Sequence, residues 1–402
     1  MSTIRLRPGT GRGKVEPNPG FLDDRDRLRP ELQILRACCR QRFDDGHARV
    51  IRSLCERHAI DWDRLFVAAT EHGVAPLVGL NLERLDEPDR IVPRAVRLRF
   101  GISCVVNRDA KERAGVALRE FLDFCDQHSL PVLLIKGVAL DRVVYAAPFP
   151  TVSSDVDLVL GVSLEELDAT TRTGFYDLIG ILGRRTGWGW ECEWLEHHDL
   201  TLNGLLPICF RTIWEGARPV DHLGHRVHVM GAEDLLIASC IGAYRRRFER
   251  LKALCDIRET VMRFPDLRWE DVWQRAKLHG CSGIVHAGLI ATGATLGLDQ
   301  APPEPPRSDL GACRRRLIRF LFGSACPNGL DRDDARAATR IDFRLLCRLI
   351  TLRRDQVGPV LARSLRKLVS SVQIRVDRPR SDRPVGVETP ATSSTTDHDT
   401  EG

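Results

Sequence analysis

The chain has 402 residues, of which 43% are hydrophobic and 29% are charged, as in ordinary folded proteins. This length predicts more than one packed region, and the composition excludes a wholly disordered chain or a coiled coil. The 60 basic residues nearly balance the 55 acidic ones. The resulting net charge of +5 does not favour a protein that holds nucleic acid mainly through phosphate contacts.

The thirteen cysteines are scattered, and none lies in a C-x-x-C spacing. An odd number without framework spacing favours reduced thiols and a cytoplasmic location. No apolar run approaches the ~18 residues of a membrane span, and residues 1–30 lack the apolar segment of a secretion signal. We therefore expect a cytoplasmic protein with no membrane partner.

The first part of the chain, residues 29–128, has the apolar spacing of helices. The pattern predicts three short helices within 32–85. It then predicts a longer helical stretch over 92–128 that is interrupted near Asn107.

The pattern changes in residues 129–230, which predict an α/β core. Pro131–Gly137 is a short apolar run closed by glycine, as in a buried strand that leads into a turn. Ser154–Val162 predicts a second strand with Asp155 and Asp157 on one face. The other predicted elements of the core are helices over 138–145 and 164–184 and strands over 198–202 and 226–229.

Residues 231–300 predict a helical region packed on that core, followed by a Pro-rich linker at 301–308 and basic C-terminal helices within 309–372. Polar composition predicts disordered tails at 1–28 and 373–402. The predicted helices of the C-terminal half cover 232–264, 269–279, 284–298, 314–322 and 343–368.

Asp155 and Asp157 are the strongest local signal for chemistry. Two carboxylates at i and i+2 on a strand share a face, about 6.5 Å apart at the backbone. At ~4 Å, two such charges repel by about 4 kcal/mol at an effective dielectric of 20. The pair therefore favours a site for a divalent cation, although a solvated strand face produces the same D-x-D spacing.

Lys136 and Gly137 end the preceding strand and lead into a helix. A glycine turn before a helix lets backbone amides approach phosphate oxygens closely. A phosphate cradle followed by a pair of metal-binding carboxylates is the combination that phosphoryl or nucleotidyl transfer requires.

The segment IKGVALDRVVYAAPFPTVSSDVDLVL, at 135–160, resembles the signature of the uncharacterised nucleotidyltransferase family within the DNA polymerase beta-like nucleotidyltransferase superfamily. Residues 60–85 are similar to that family's helical N-terminal region. Residues 215–240 and 247–261 are similar to its hairpin and the helices that follow it. The resemblance covers roughly residues 30–300.

The resemblance implies an α+β fold in which a mixed sheet is flanked by helices, with helical N-terminal and C-terminal regions. It implies Asp155 and Asp157 as metal ligands together with a third carboxylate, for which Asp199 in HDLTL is the best match. Glu191 and Glu193 in WECEW are alternatives, in a stretch that resembles a loop or an edge strand. The implied nucleotide-binding residues are Lys136, Gly137, Val138 and Ser154.

The implied activity is Mg- or Mn-dependent transfer of a nucleoside monophosphate from a nucleoside triphosphate to an acceptor. The acceptor is a small molecule, a peptide, a protein or RNA, and the sequence does not choose between them. Thr151 and Thr201 stand where the family has an arginine and a histidine. A catalytically degenerate binding or accessory protein with the same fold is therefore the alternative.

Four arginines near Tyr244 are a further candidate site. Arg245, Arg246, Arg247 and Arg250 could clamp phosphates or an acidic substrate, but a charge run on a helix is more often a solvated face. His222, His225 and His228 are weaker candidates, because Gly224 predicts a hairpin that would point them in different directions. The tryptophans at 188, 190 and 194 predict core packing rather than a cleft wall.

Overall fold

The part of the chain that the structure describes combines thirteen helices with one five-stranded sheet, which confirms the predicted α+β class. The structure is a computed structural model, and its described residues belong to a compact unit spanning Met1–Gln356. The described residues are 29–85, 91–145, 150–195, 206, 208, 210–323 and 351–352.

The N-terminal helices precede the sheet. Four short helices form where the sequence pattern predicted three, because acidic caps start separate helices at α2 and α3. The side chain of Asp44 accepts a hydrogen bond from the His47 amide, and that of Asp61 accepts one from the Arg64 amide. The five helices of this region are α1 (Pro30–Cys38), α2 (Asp45–Arg57), α3 (Trp62–Glu71), α4 (Ala75–Leu82) and α5 (Arg94–Gln127).

Helix α5 is continuous through Asn107, so the predicted interruption there is wrong. Asn107 is a buried polar residue on the packed face of the helix, which breaks the apolar spacing of the sequence. Its side-chain amide donates to the carbonyl oxygen of Thr151 at 3.3 Å. This partner satisfies the buried amide without interrupting the helix.

The sheet is mixed and has the strand order β3-β2-β1-β5-β4. Strand β1 is antiparallel to β2 and parallel to β5, whereas β2 is parallel to β3 and β4 pairs with β5 as an antiparallel hairpin. The predicted strand over 198–202 lies outside the described residues. The strands are β1 (Val132–Leu134), β2 (Asp155–Leu160), β3 (Gly189–Trp194), β4 (Arg218–His222) and β5 (His225–Val229).

In the described parts of the connections between strands there are three α-helices, namely α6 (Lys136–Val143), α7 (Ala169–Thr186) and α8 (Phe210–Glu215). The helix predicted over 164–184 is divided into a short 3-10 turn, Leu164–Glu166, and α7. The division arises because Asp168 accepts a hydrogen bond from the Thr171 amide at 2.9 Å and so starts a new helix.

The helices after the sheet form the remaining layer. The helix predicted over 232–264 breaks between Arg245 and Leu251, because Arg247 and Phe248 adopt left-handed φ values of 59° and 56°. One cleft is lined both by the end of the first helix and by the start of the second helix. The helices are α9 (Ala232–Arg245), α10 (Leu251–Arg263), α11 (Trp269–Leu278), α12 (Ser282–Leu296) and α13 (Ala312–Phe322).

Two sequence-based expectations concern segments at the edges of the described chain. Both predicted tails lie outside the described residues, as does the helix predicted over 343–368 apart from 351–352.

Among the described helices, none is long and apolar enough to cross a membrane. The ten cysteines in the described part are free thiols.

Candidate active site

Three carboxylates from two neighbouring strands meet at one point of the sheet. Asp155 and Asp157 lie on β2, and Glu191 lies directly beside Asp157 on the parallel edge strand β3. One oxygen from each of the three lies within 4.8 Å of the others. We refer to Asp155, Asp157 and Glu191 as the carboxylate cluster.

Parallel pairing between β2 and β3 explains why Glu191 joins the two aspartates. The register pairs Asp155 with Gly189 and Asp157 with Glu191, so an acid two residues into β3 is level with the acid two residues into β2. The segment WECEW was expected to be a loop or an edge, and the structure confirms the edge alternative, since β3 is an edge strand. Its alternating residues carried a signal of period two that could have identified it.

The ammonium of Lys136 lies between two members of the cluster. It forms an ion pair with Asp157 and donates to Oε2 of Glu191 at 2.9 Å. Lys136 is the first residue of α6 and has a left-handed φ of 50°. For a residue with a β-carbon, this conformation costs roughly 1 kcal/mol, so the fold holds the lysine here against its backbone preference.

The cluster shifts the pKa values of its members in opposite directions. Burial raises the pKa of Asp157 to about 7, although the Lys136 ammonium opposes the shift. A hydrogen bond from the Asp157 carboxyl, followed by one from Lys136, lowers the pKa of Glu191. Asp157 is only 2% exposed whereas Glu191 is exposed, so burial disfavours the charged form of Asp157 more than that of Glu191.

The other residues predicted to bind nucleotide lie at the start of α6 and beside β2. Gly137 and Ser154 line the same cleft as the cluster, but Val138 does not. A β-carbon added at Gly137 would lie 2.6 Å from the hydroxyl oxygen of Ser153. Gly137 therefore packs against Ser153, and its lack of a side chain is a local packing requirement.

The cleft above the cluster has a volume of about 510 Å³. One wall is a face of α9 formed by Leu235, Ala238, Ser239 and Gly242, and it continues into the arginines at the end of that helix. The start of α10 contributes Lys252 and other residues. The cleft is thus shared between the sheet and the helices that follow it in sequence.

A buried polar network supports the floor of the cleft. Lys252 donates to Asp256 at 2.9 Å, and the hydroxyl of Tyr145 donates to the same carboxylate at 2.7 Å. Lys111 on α5 pairs with Asp141 on α6 at 2.5 Å. The cleft lysine at 252 is therefore already neutralised by the fold.

Several predicted candidates lie elsewhere. Asp199, the favoured third carboxylate, lies outside the described residues. The histidines of the β4–β5 hairpin do not converge, since His225 pairs with Asp126 at 2.7 Å and His228 packs against Trp214. Within the described ranges, no second group of three ligand-type side chains comes as close together as the carboxylate cluster.

The tryptophans near the cluster pack away from the cleft. Trp190 contacts Phe121, and Trp194 contacts Phe175, where α5 and α7 lie against the sheet. Neither tryptophan lines the cleft. Trp194 is buried in the core, as the sequence predicted, whereas Trp188 and Trp190 are half-buried.

An α+β fold with a carboxylate cluster beside a cation-lined cleft is the arrangement expected of a nucleotidyltransferase-like protein. A sequence model of the family described as uncharacterised nucleotidyltransferase matches residues 58–171 and 194–297, and the chain belongs to this family. The resemblance seen in the sequence is thereby confirmed. Searches of curated proteins and of solved structures gave no significant match.

The matched segments divide the candidate site. Lys136, Asp155 and Asp157 lie in the first segment, and Asp199 lies in the second. Glu191 lies between the two segments. Its place in the site therefore depends on geometry alone.

Proposed function

We propose that this protein transfers a nucleoside monophosphate from a nucleoside triphosphate to an acceptor, with a divalent cation as cofactor. The observation that carries the proposal is the convergence of three carboxylate oxygens within 4.8 Å at the cleft. Family membership supports the same reaction class.

The donor set fits magnesium or manganese. All three groups are carboxylates, which are the hard oxygen ligands that these ions prefer. The ammonium of Lys136 already bridges two of the three, so the cluster attracts positive charge. Asp155, Asp157 and Glu191 would hold the ion. When bound, a divalent ion neutralises charge on phosphate oxygens and lowers the pKa of an attacking oxygen.

The residues of the chain would orient the reactants. The amide of Gly137, in the first turn of α6, has no acceptor within its helix and would bind a phosphate oxygen in the cleft. An acceptor oxygen would bond to the α-phosphorus as the bond to the β-phosphate breaks and pyrophosphate leaves. The acceptor proton would pass to the carboxylate of Glu191, which is the most exposed of the three acids.

One observation favours the degenerate alternative, a binding or accessory protein without turnover. Lys136 satisfies Asp157 and Glu191 electrostatically without any divalent ion. An active enzyme requires the ion to compete with this ammonium. Direct metal titration therefore separates the two functions.

The test is a set of incubations with each labelled nucleoside triphosphate and Mg²⁺ or Mn²⁺, scored for pyrophosphate release and for label transfer to a cell extract. Manganese binding to the parent and to Asp157→Asn is measured in parallel. Release that disappears in the variant supports the enzyme. Nucleotide binding without manganese binding, and without release from any triphosphate, supports the degenerate protein.

A further inference from the structure

Three arginines at the junction of α9 and α10 line the cleft that contains the carboxylate cluster. Arg245 and Arg246 end or follow α9, and Arg250 precedes α10. All three residues are exposed to solvent. We call Arg245, Arg246 and Arg250 the arginine wall.

The arginine wall differs from the lysines of the cleft in its pairing. Lys136 is paired with Asp157 and Glu191, and Lys252 is paired with Asp256. By contrast, the guanidinium groups of the wall form no hydrogen bond or ion pair with any residue in the described part of the chain, although the charge of Arg245 helps to lower the pKa of Glu191. The positive charge that remains available to a ligand is therefore concentrated on this wall.

The phosphate cradle predicted at the start of α6 has fewer groups available to bind a ligand than the sequence indicates. The ammonium of Lys136 is engaged by carboxylates, and Gly137 backs onto the hydroxyl of Ser153. A triphosphate in this cleft would need cationic partners beyond those residues. Guanidinium groups bind phosphate oxygens in pairs of parallel hydrogen bonds, which a lysine cannot do.

The cleft beside the wall is open. The face of α9 that leads to Arg245 and Arg246 carries the small residues Ala238, Ser239 and Gly242. A β-carbon at Gly242 would meet no atom within 4 Å. Arg250, Lys252 and Ala253 at the start of α10 also line the cleft.

We propose that the arginine wall binds the polyphosphate chain of the nucleoside triphosphate. This inference rests on the proposed function, since it names the groups that hold that substrate. It assigns a substrate-binding role to the helical region after the sheet, in addition to the start of α6.

A purely structural role makes a different prediction. Arginines at the end of α9 complement the negative end of the helix dipole, and Arg247 shares that position. Arg247 is also exposed but does not line the cleft. It therefore provides a matched control that removes the same charge from the same segment.

The test is calorimetric titration of the full chain with inorganic tripolyphosphate in low-salt buffer containing EDTA. Arg245→Gln, Arg246→Gln and Arg250→Gln should each weaken binding by about tenfold, and the triple variant should lose it. Arg247→Gln should change the affinity by less than about twofold. Melting curves of each variant establish that it is folded, and the single variants answer the question if the triple variant is not.

The inference is overturned if the parent does not bind tripolyphosphate, if the triple variant binds it unchanged, or if Arg247→Gln weakens binding as much as the wall variants. Because EDTA removes metal, this readout does not depend on turnover. Failure of pyrophosphate release with intact, wall-dependent tripolyphosphate binding contradicts the enzyme only. Metal-dependent release that is unchanged in the wall variants contradicts the wall only.

Discussion

Asp157 is the residue at which burial and charge conflict most directly. Its carboxyl is 2% exposed, and burial raises its pKa from 3.8 to about 7. Below about pH 4 the group is protonated in both the folded and the unfolded chain. Between pH 4 and 7 only the unfolded chain ionises, so this residue lowers the stability of the fold as the pH rises.

We expect Asp157→Asn to stabilise the metal-free protein, by an amount that grows from pH 4 to pH 7 and reaches up to about 4 kcal/mol. The amide keeps the shape of the side chain but cannot ionise. The measurement is urea denaturation in EDTA between pH 4 and pH 8, with Glu193→Gln as the control on the adjacent strand. A variant that is less stable than the parent at pH 8 would show that the ion pair with Lys136 outweighs the cost of burial.

The identity of the third carboxylate is a second question at this scale. Geometry favours Glu191, which lies beside Asp157, whereas the sequence favoured Asp199. We expect Glu191→Gln to weaken manganese binding and to lower turnover by about 10²-fold or more. Glu193→Gln should change both by less than about twofold, since Glu193 does not line the cleft.

Manganese titration and pyrophosphate release should be measured on Glu191→Gln, Glu193→Gln and Asp199→Asn together. The sequence-based expectation is that Asp199→Asn lowers turnover by orders of magnitude while nucleotide binding survives. If only the Asp199 variant is impaired, Glu191 is a surface acid of an edge strand. The manganese titration gives an answer even if the protein has no turnover.

At the scale of secondary-structure elements, the sequence predicted whether a segment is a helix or a strand better than it predicted which strands pair. The D-x-D strand was identified because its spacing is local, whereas Lys136 and Gly137, which were predicted to close the preceding strand, are the first two residues of α6. The partnership of Glu191 with Asp157 could not be identified in this way, because it depends on which strand lies beside β2. Periodicity predicts a strand, but it does not predict the neighbour of that strand.

The junction of α9 and α10 was missed for a related reason. Left-handed backbone usually appears in sequence as glycine, but here Arg247 and Phe248 adopt it. The sequence therefore predicted one helix where there are two. Arg245 lies before the break and Arg250 lies after it, and both line the same cleft.

Helix α9 offers a test in which stability and binding should separate. Gly242 lies on its cleft face, and a β-carbon there meets no atom within 4 Å. We expect Gly242→Leu to stabilise the fold by about 0.5 to 1 kcal/mol, because glycine is a poor helix former. The same variant should weaken tripolyphosphate and nucleotide binding, because its side chain occupies the cleft.

The matched control is Gly115→Leu on α5, where a β-carbon likewise meets no atom within 4 Å and which does not line the cleft. Melting curves should show a gain of stability in both variants. Calorimetry should show weaker binding only in the Gly242 variant. Equal affinity in the two variants would mean that the α9 face does not contact the ligand.

At the scale of the whole molecule, distant segments converge on one cleft. Thr70 and Gly73 near the end of α3, the strand β2 and the start of α10 all line it. The backbone amide of Lys252 donates to the carbonyl oxygen of His72 at 3.2 Å. The family resemblance predicted that helices flank the sheet, but no local pattern connects residue 72 with residue 252.

The hydrogen bond between Tyr145 and Asp256 allows the contribution of one such long-range contact to the stability of the fold to be measured. The tyrosine follows α6 and the aspartate lies on α10, so the bond joins the sheet unit to the later helices. We expect Tyr145→Phe to destabilise the protein by about 1 to 3 kcal/mol, since it leaves a buried carboxylate with one partner fewer. Burial raises the pKa of Tyr145 well above its ordinary value, so the hydroxyl remains a donor and the loss should be constant between pH 6 and pH 9.

Urea denaturation of Tyr145→Phe at pH 6 and pH 9 measures this loss, and Tyr176→Phe is the control. Tyr176 is 52% exposed, so its variant should change the free energy of unfolding by less than about 0.5 kcal/mol. Because Asp256 also holds Lys252 at the floor of the cleft, the Tyr145 variant should weaken nucleotide binding as well. Equal stability of the two variants would show that the packing of α10, rather than this hydrogen bond, joins the later helices to the sheet.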